Sequence, residues 1–200
     1  LTAADNAVTF KSIVHTVAAK NGLFATFMPR PVKDKSGNGM HINISLNDKT
    51  KTDSFIAGIL KHIGGLTAFL NSTRQSYERL GKDKAPMYVT WSEQNRSQLI
   101  RIPAEGLSRQ RFELRSPDPM TNPYIAYALL IYAGLDGIDR DLKLCQPLDM
   151  NLYEADKEIT DKLEKLPETF EDAIKAAQNS EIVSKWLPEG VCGYLSERNI

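Results

Sequence analysis

Arg111-Phe112-Glu113-Leu114-Arg115 alternates charged and apolar side chains, and Ser116-Pro117-Asp118-Pro119 ends the pattern. Alternation of this kind fits a strand, because successive side chains leave a strand on opposite faces. One face then carries Glu113 between two guanidiniums, and the other carries Phe112 and Leu114. A carboxylate flanked by arginines is poor core material, since buried charge is costly without partners. Two readings follow: a salt-bridged edge strand on the surface, or a site in which the acid holds a hard cation and the arginines take phosphate oxygens.

The chain has 200 residues, enough for one sizeable domain with its own core. Its 25 basic and 25 acidic residues cancel, so the balance argues against a general nucleic-acid or membrane-surface binder, and any cationic site is a local cluster. Cys145 and Cys192 form no paired motif, which fits a reducing compartment, a cytoplasmic setting, better than a disulfide framework. No apolar run approaches the ~20 residues of a membrane span. The opening Leu1-Thr2-Ala3-Ala4-Asp5 reads as the entrance to a helix, and the chain as a piece of a longer protein.

Taken in order, Thr2 is the expected N-cap of a helix whose stripe is Val8, Ile13, Val14, Val17 and Ala18, ending at Asn21-Gly22. Residues 23–28 read as a strand. A polar glycine loop, residues 33–39, precedes a second alternation in which His41, Asn43 and Ser45 oppose Met40, Ile42, Ile44 and Leu46. A lone strand histidine is commonly structural, but this one follows Gly37-Asn38-Gly39, where backbone can approach a ligand closely. Residues 55–70 and 124–138 read as apolar core helices, the first with a structural His62. Residues 71–86 read as a long polar loop, and 87–91 and 98–102 as strands. Arg101, inside the apolar Ile100-Arg101-Ile102-Pro103, requires an anionic partner. From about residue 142 the chain turns to short amphipathic helices, at 157–166, 169–178, 181–187 and 193–198. The fold class is α+β: a mainly antiparallel sheet backed by helices, with residues 142–200 as a helical C-terminal subregion.

Three groups of segments together carry a resemblance. Residues 21–31 with Gly37-Asn38-Gly39-Met40-His41 resemble the ATP-binding signature of the glutamine synthetase family. Asn95-Arg96-Ser97, residues 100–103 and 111–119, Asn122-Pro123-Tyr124 and Ala133-Gly134-Leu135-Asp136-Gly137-Ile138 resemble later segments of it, most closely those of the bacterial and archaeal type I enzymes. The match runs from about residue 2 to 155. The resemblance implies a partial catalytic domain with a curved, guanido-kinase-like sheet, lacking the N-terminal β-grasp domain and upstream metal-binding glutamates. It implies ATP and Mg (or Mn) as cofactors, glutamate and ammonia as substrates, and a large homo-oligomer with active sites between subunits. The implied reaction phosphorylates the γ-carboxylate of glutamate and displaces phosphate with ammonia. Related outcomes are a γ-glutamyl-amine ligase, or a non-catalytic relative that keeps the fold for binding.

Residue by residue, the resemblance places His41 and Glu113 on the metal. Arg96, Arg101 and Arg115 surround the transferring phosphoryl group, a role for fixed bidentate donors. Arg111, Asn43 and Ser45 fall on the nucleotide side, with His41 and Arg96 beside them. Arg79 and Gly37 fall on the glutamate site, together with Arg101 and Arg115. Tyr153 matches a tyrosine that some bacterial members modify with adenylate, or is an ordinary surface residue. The sequence departs from the pattern at Ser36, where Asn is usual, and at Asn43, where a second His is usual. The acid expected in the loop after Arg79 falls on Lys84, with Asp83 able to take its place in another register.

Overall fold

Phe55, Ile56, Ile59, Leu60, Ile63, Leu66 and Phe69 cover more than one face of a helix, and a helix that is apolar all round belongs inside. The computed structural model, which describes residues 1–103 and 111–197, puts that helix, α2 (Thr52–Leu70), at the centre. Around it lie α1 (Thr2–Lys20), α3 (Arg74–Arg79), α4 (Pro123–Asp139), α5 (Lys157–Thr160), α6 (Phe170–Gln178), α7 (Glu181–Trp186) and α8 (Val191–Glu197). The strands are β1 (Ile42–Ile44), β2 (Trp91–Ser92), β3 (Ile100–Arg101) and β4 (Phe112–Leu114), in the order β1-β4-β3-β2. Phe112 and Leu114 are fully buried against the helical layer, with the Phe112 and Phe55 rings 6.0 Å apart. The opposite face of the same strand carries Glu113 toward the site. This is α+β architecture with one core, and α6, α7 and α8 contribute Phe170, Ala173, Ile174, Ala177, Ile182, Val183 and Cys192 to it.

Glycines let α2 approach its neighbours closely. A Cβ on Gly58 would lie 2.2 Å from the Ala133 carbonyl oxygen, and one on Gly137 would lie 2.1 Å from that of Ser54. Backbone therefore touches backbone where α2 crosses α4. Caps fix the shorter helices: Asn122 accepts from the Tyr124 N–H, Thr169 from that of Asp172 and Ser180 from that of Val183. His62, on α2, binds Asp136 on α4 at 2.7 Å. With Glu181 on α7 these two residues bring three potential metal-ligating atoms within 4.8 Å of one another. Arg140 already holds Asp136 at 2.8 Å and Glu181 at 3.0 Å, and Lys61 lies 3.6 Å from Glu181. The charges balance, so the cluster works as a clamp joining three helices.

Several expectations need correction. Thr2 is the first helical residue and Leu1 the cap, with no side-chain cap bond. The α1 stripe is not core: Val8, Ile13 and Val17 are exposed, and only Ala4 is buried. Residues 23–28 form no strand. Phe27 folds back on Phe10 and His15 of α1, and no described strand offers these residues a ladder. The 71–86 stretch is not all loop, because Thr73 and Ser76 form a reciprocal capping box that starts α3. The 157–166 helix stops at Thr160, after which Leu166 donates its N–H to the Met87 carbonyl and runs beside 87–89. The expected helix end at Arg198 lies outside the described residues.

The sheet is mixed. β1–β4 and β4–β3 are antiparallel, but β2 and β3 are parallel, with Trp91 opposite Ile100. A parallel pair normally needs a long crossover. Here residues 93–99 leave the sheet and return in the same direction. Ser92 Oγ accepts from the Gln94 and Asn95 N–H groups, and the Gln98 amide donates to the Leu148 and Met150 carbonyls. Side chains hold that excursion, which hydrophobic alternation does not register. No described helix is long and apolar enough to cross a membrane, and both cysteines are free.

Two predictions follow from the packing. Gly58→Ala should lower stability by about 2 kcal/mol or more on chemical denaturation. The ~1 kcal/mol helix-propensity gain is outweighed by overpacking against backbone that cannot move alone. Burial opposes ionisation of Asp136, yet His62, Arg140 and Lys61 hold its carboxyl below the usual carboxylate range. That contribution is present above the unfolded value near ~4 and is lost as pH falls through the depressed folded value. The fall in urea midpoint below about pH 4 should therefore be shallower in Asp136→Asn than in the unsubstituted protein.

Candidate active site

Register decides which side chains meet. Asn43 pairs with Glu113 on one side of β4 and Arg101 pairs with Glu113 on the other, so their side chains share a face. Glu113 sits between them, nearly buried. Its Oε2 accepts from Arg101 Nε at 2.9 Å and Nη2 at 2.8 Å. Its Oε1 accepts from Arg115 Nη1 at 3.1 Å and lies 2.6 Å from His41 Nδ1. Arg115 also donates Nε to the Arg96 carbonyl at 3.0 Å, fixing its plane. The anionic partner that Arg101 requires is Glu113.

These groups floor a cavity of about 420 Å³ lined by Ser36, Gly37, Gly39, Arg79, Lys82, Lys84, Ala85 and Arg96 as well as His41, Arg101, Glu113 and Arg115. Six cationic side chains face one carboxylate. Burial is the largest influence on Glu113 and opposes its ionisation, but Arg115, Arg101 and His41 together hold its carboxyl below the usual range. Burial, then the Arg115 charge, pushes the His41 imidazole down, against the pull of Glu113. A neutral imidazole beside an ionised carboxylate offers one nitrogen and one oxygen donor to divalent cations. Two donors are fewer than the roughly six such ions take, so the others must be phosphate, water or residues beyond these.

The glycine loop has a different cause from close ligand approach alone. A Cβ on Gly37 would lie 2.7 Å from Arg79 Cγ, and one on Gly39 would lie 2.4 Å from Arg79 Nη2. The loop drapes over a buried arginine and makes that arginine part of the wall. Arg79 donates Nη1 to the Ser116 carbonyl at 2.7 Å and Nη2 to that of Arg115 at 3.3 Å. Beneath it the buried Asp118 accepts from Asn71 Nδ2 at 3.0 Å and from the Met120 N–H at 2.9 Å. Burial pushes the Asp118 carboxyl up, against the pull of Ser76, Met120, Asn71 and Arg79. Asp118 supports the site without lining it, and a Pro-Asp-Pro stop signal does not disclose that.

The cavity thus brings together Gly37, His41, Arg79, Lys84, Arg96, Arg101, Glu113 and Arg115. Asn43 within β1, Ser45 just after it and Arg111 just before β4 are exposed and outside its lining. Lys82, which no motif singles out, lines it. Asp83 is turned away, with φ 61° at Asp34 matched by φ 55° at Asp83, both in the left-handed region that Asp tolerates. Its carboxylate lies 3.7 Å from Arg30 Nη2. Tyr153 is half-exposed and borders a second cavity, about 740 Å³, on the far side of the loop with Asp83.

Glu113→Gln should cost about 3 kcal/mol of stability, because it leaves Arg101 and Arg115 facing each other at a nearly buried position. Adding Arg101→Met should recover part of that loss, so a double-mutant cycle read by denaturation should be clearly non-additive.

Comparison with known proteins bears on the family and the fold. The family described as glutamine synthetase, catalytic domain, matches residues 1–198. The glutamine synthetase of Staphylococcus aureus (strain MW2) is 41% identical over 206 residues, covering 94% of this chain and 46% of that protein. That of Halobacterium salinarum is 40% identical over 217 residues, covering 98% and 48%. Among solved structures, a GmaS/ADP complex superposes with a TM-score of 0.85 at 31% identity, covering 98% of this chain and 49% of that one. GmaS without ligand gives 0.84 at 32%, covering 97% and 48%. The chain spans about half the length of the relatives it matches. It belongs to the glutamine synthetase catalytic-domain family.

Proposed function

We propose that this chain supplies the phosphoryl-transfer half of a glutamate–ammonia ligase: ATP phosphorylates the glutamate γ-carboxylate, and ammonia displaces phosphate to give glutamine. The observation that carries the reading is Glu113, held between Arg101, Arg115 and His41 in a cavity rich in cations. Phosphoryl transfer asks mainly for positioning and charge neutralisation, and guanidiniums fixed by a carboxylate and a carbonyl provide both. Arg96, Arg101 and Arg115 take the oxygens of the transferred group. Arg79 and Gly37, on the same cavity, take the glutamate end. Arg111, Asn43 and Ser45 extend from the cavity toward the nucleotide. His41 and Glu113 would hold Mg²⁺ or Mn²⁺, which when bound neutralises phosphate charge. Nitrogen then bonds to the acyl carbon as the carbon–oxygen bond to phosphate breaks. The electron pair leaves with orthophosphate, and the surplus proton passes to that phosphate or to water.

The same reading assigns residues 1–200 to part of a larger catalytic domain, with 142–200 as its helical subregion. The four short strands belong to a curved, mainly antiparallel, guanido-kinase-like sheet completed elsewhere in the protein. It places the enzyme in the cytoplasm as a homo-oligomer with active sites shared between subunits. Exposed Leu23, Phe24, Ile13 and Val17 support a larger assembly. The conjunction of His41, Glu113 and the arginines in one cavity favours a working ligase over a binding-only relative, since so charged a cluster is costly without an anionic ligand.

The full-length protein, given ATP, glutamate, Mg²⁺ and hydroxylamine, should form γ-glutamyl hydroxamate and ADP together. Arg101→Ala or Arg115→Ala should lower kcat at least about 100-fold, in line with loss of a transition-state charge clamp. Absence of hydroxamate from the unsubstituted protein would end the reading.

A further inference from the structure

Resting on that ligase reading, we propose that Lys82 and Lys84 form a phosphate latch, a pair of cations on one loop that holds the acyl phosphate and then the orthophosphate. The loop is anchored at both ends by buried Leu80 and Ala85 and shaped by two successive turns, Lys82 N–H to the Arg79 carbonyl at 3.2 Å and Ala85 N–H to that of Lys82 at 3.0 Å. Gly81 and Asp83, with φ of 73° and 55°, set its path. The outcome is a sorting of charge. Lys84 lines this cavity only and Lys82 borders both it and the second cavity, while Asp83 between them faces only the second and lies near Arg30.

Neither lysine is engaged by a carboxylate among the described residues, whereas Arg101 and Arg115 share Glu113. The latch lysines therefore keep charge for a ligand, as do Arg96 and the partly neutralised Arg79 on the same cavity. Their position matters as well. Arg101 and Arg115 reach the cavity from β3 and the end of β4, and Lys82 and Lys84 reach it from the loop after α3. A phosphate bearing about two negative charges would there meet cations from both the sheet and the loop. A cationic loop also disfavours ammonium at the same opening, and it cannot accept the proton that ammonium must lose. Phosphate retention and ammonium affinity are thus set against each other by the same two residues.

The test uses the full-length protein and inorganic phosphate as the probe. Lys84→Ala should raise the phosphate inhibition constant about tenfold, the size expected for one partly shielded charge, while lowering the ammonium KM about threefold or more. Lys84→Glu should enlarge both changes, and Lys82→Ala should move both in the same directions. Inhibition by ADP should stay within about twofold, because Asn43, Ser45 and Arg111, assigned to the nucleotide, lie outside the lining that the loop joins. Phosphorus NMR titration of orthophosphate gives the same ranking without turnover. A merely structural loop would weaken phosphate, ADP and ammonium together, and that result would overturn the latch. So would unchanged phosphate affinity. If the unsubstituted protein forms no hydroxamate, the ligase reading falls and takes the latch with it. Hydroxamate formation with unshifted phosphate affinity in the variants removes the latch alone.

Discussion

The site depends on one buried carboxylate. Glu113 has two oxygens and four donors: two from Arg101, one from Arg115 and the His41 ring nitrogen. Without it, two guanidiniums a few ångströms apart would repel strongly in a medium of reduced dielectric. With it, they are fixed in plane and direction. Three separate stretches of chain, at β1, β3 and β4, are brought to one point because the strand register places residues 43, 113 and 101 side by side. Charge and register therefore specify each other: a slip of one residue in β4 would send Glu113 into the apolar layer and expose Phe112.

The core carries this arrangement to the rest of the cavity. The Leu70 carbonyl at the end of α2 accepts from the Asp118 N–H at 3.2 Å, and the Asn71 amide donates to the Ser116 carbonyl at 2.9 Å and to Asp118. Ser116 is also the carbonyl that receives Arg79. The position of Arg79 is thus referred to the end of the most deeply buried helix, and the glycine loop is referred to Arg79. Close α2–α4 contact through Gly58 and Gly137 keeps that helix in place, so packing far from the cavity sets the coordinates of its polar wall. Catalytic geometry of this kind tolerates little displacement.

The alternations at 40–46 and 111–115 were legible because strand period and charge act locally, but that His41 and Glu113 meet is decided by the β1–β4 register. The partner of Arg101 was legible as a requirement, since an arginine between isoleucines needs one. What sequence could not disclose is decided by contacts across long separations. The direction of β3 relative to β2 rests on Gln98 reaching Leu148 and Met150. The α1 stripe looks like core because spacing reports amphipathicity and not what covers it. Residues 23–28 have strand composition, yet composition supplies no ladder partner. Helix α3 was hidden because its cap is a Thr–Ser pair in a polar run without a hydrophobic stripe. Lys82 carries no motif, and only the structure shows that it and Lys84 border the site cavity while Asp83 does not.

The charge inventory of the cavity also says something about its economy. Six cations against one carboxylate do not stabilise the fold; they cost solvation and mutual repulsion, and surface arginines would serve stability as well. Arg79 shows the cost most clearly. It is buried, and burial is the chief influence pulling its guanidinium below its ordinary range, opposed by the nearby Asp118. Its attested partners are two backbone carbonyls, which satisfy its N–H groups and leave its charge only partly neutralised. A polyanion entering the cavity would supply that missing charge to several residues at once. The repulsion stored among the cations then becomes binding energy for phosphate, and an apolar or neutral ligand could not release it.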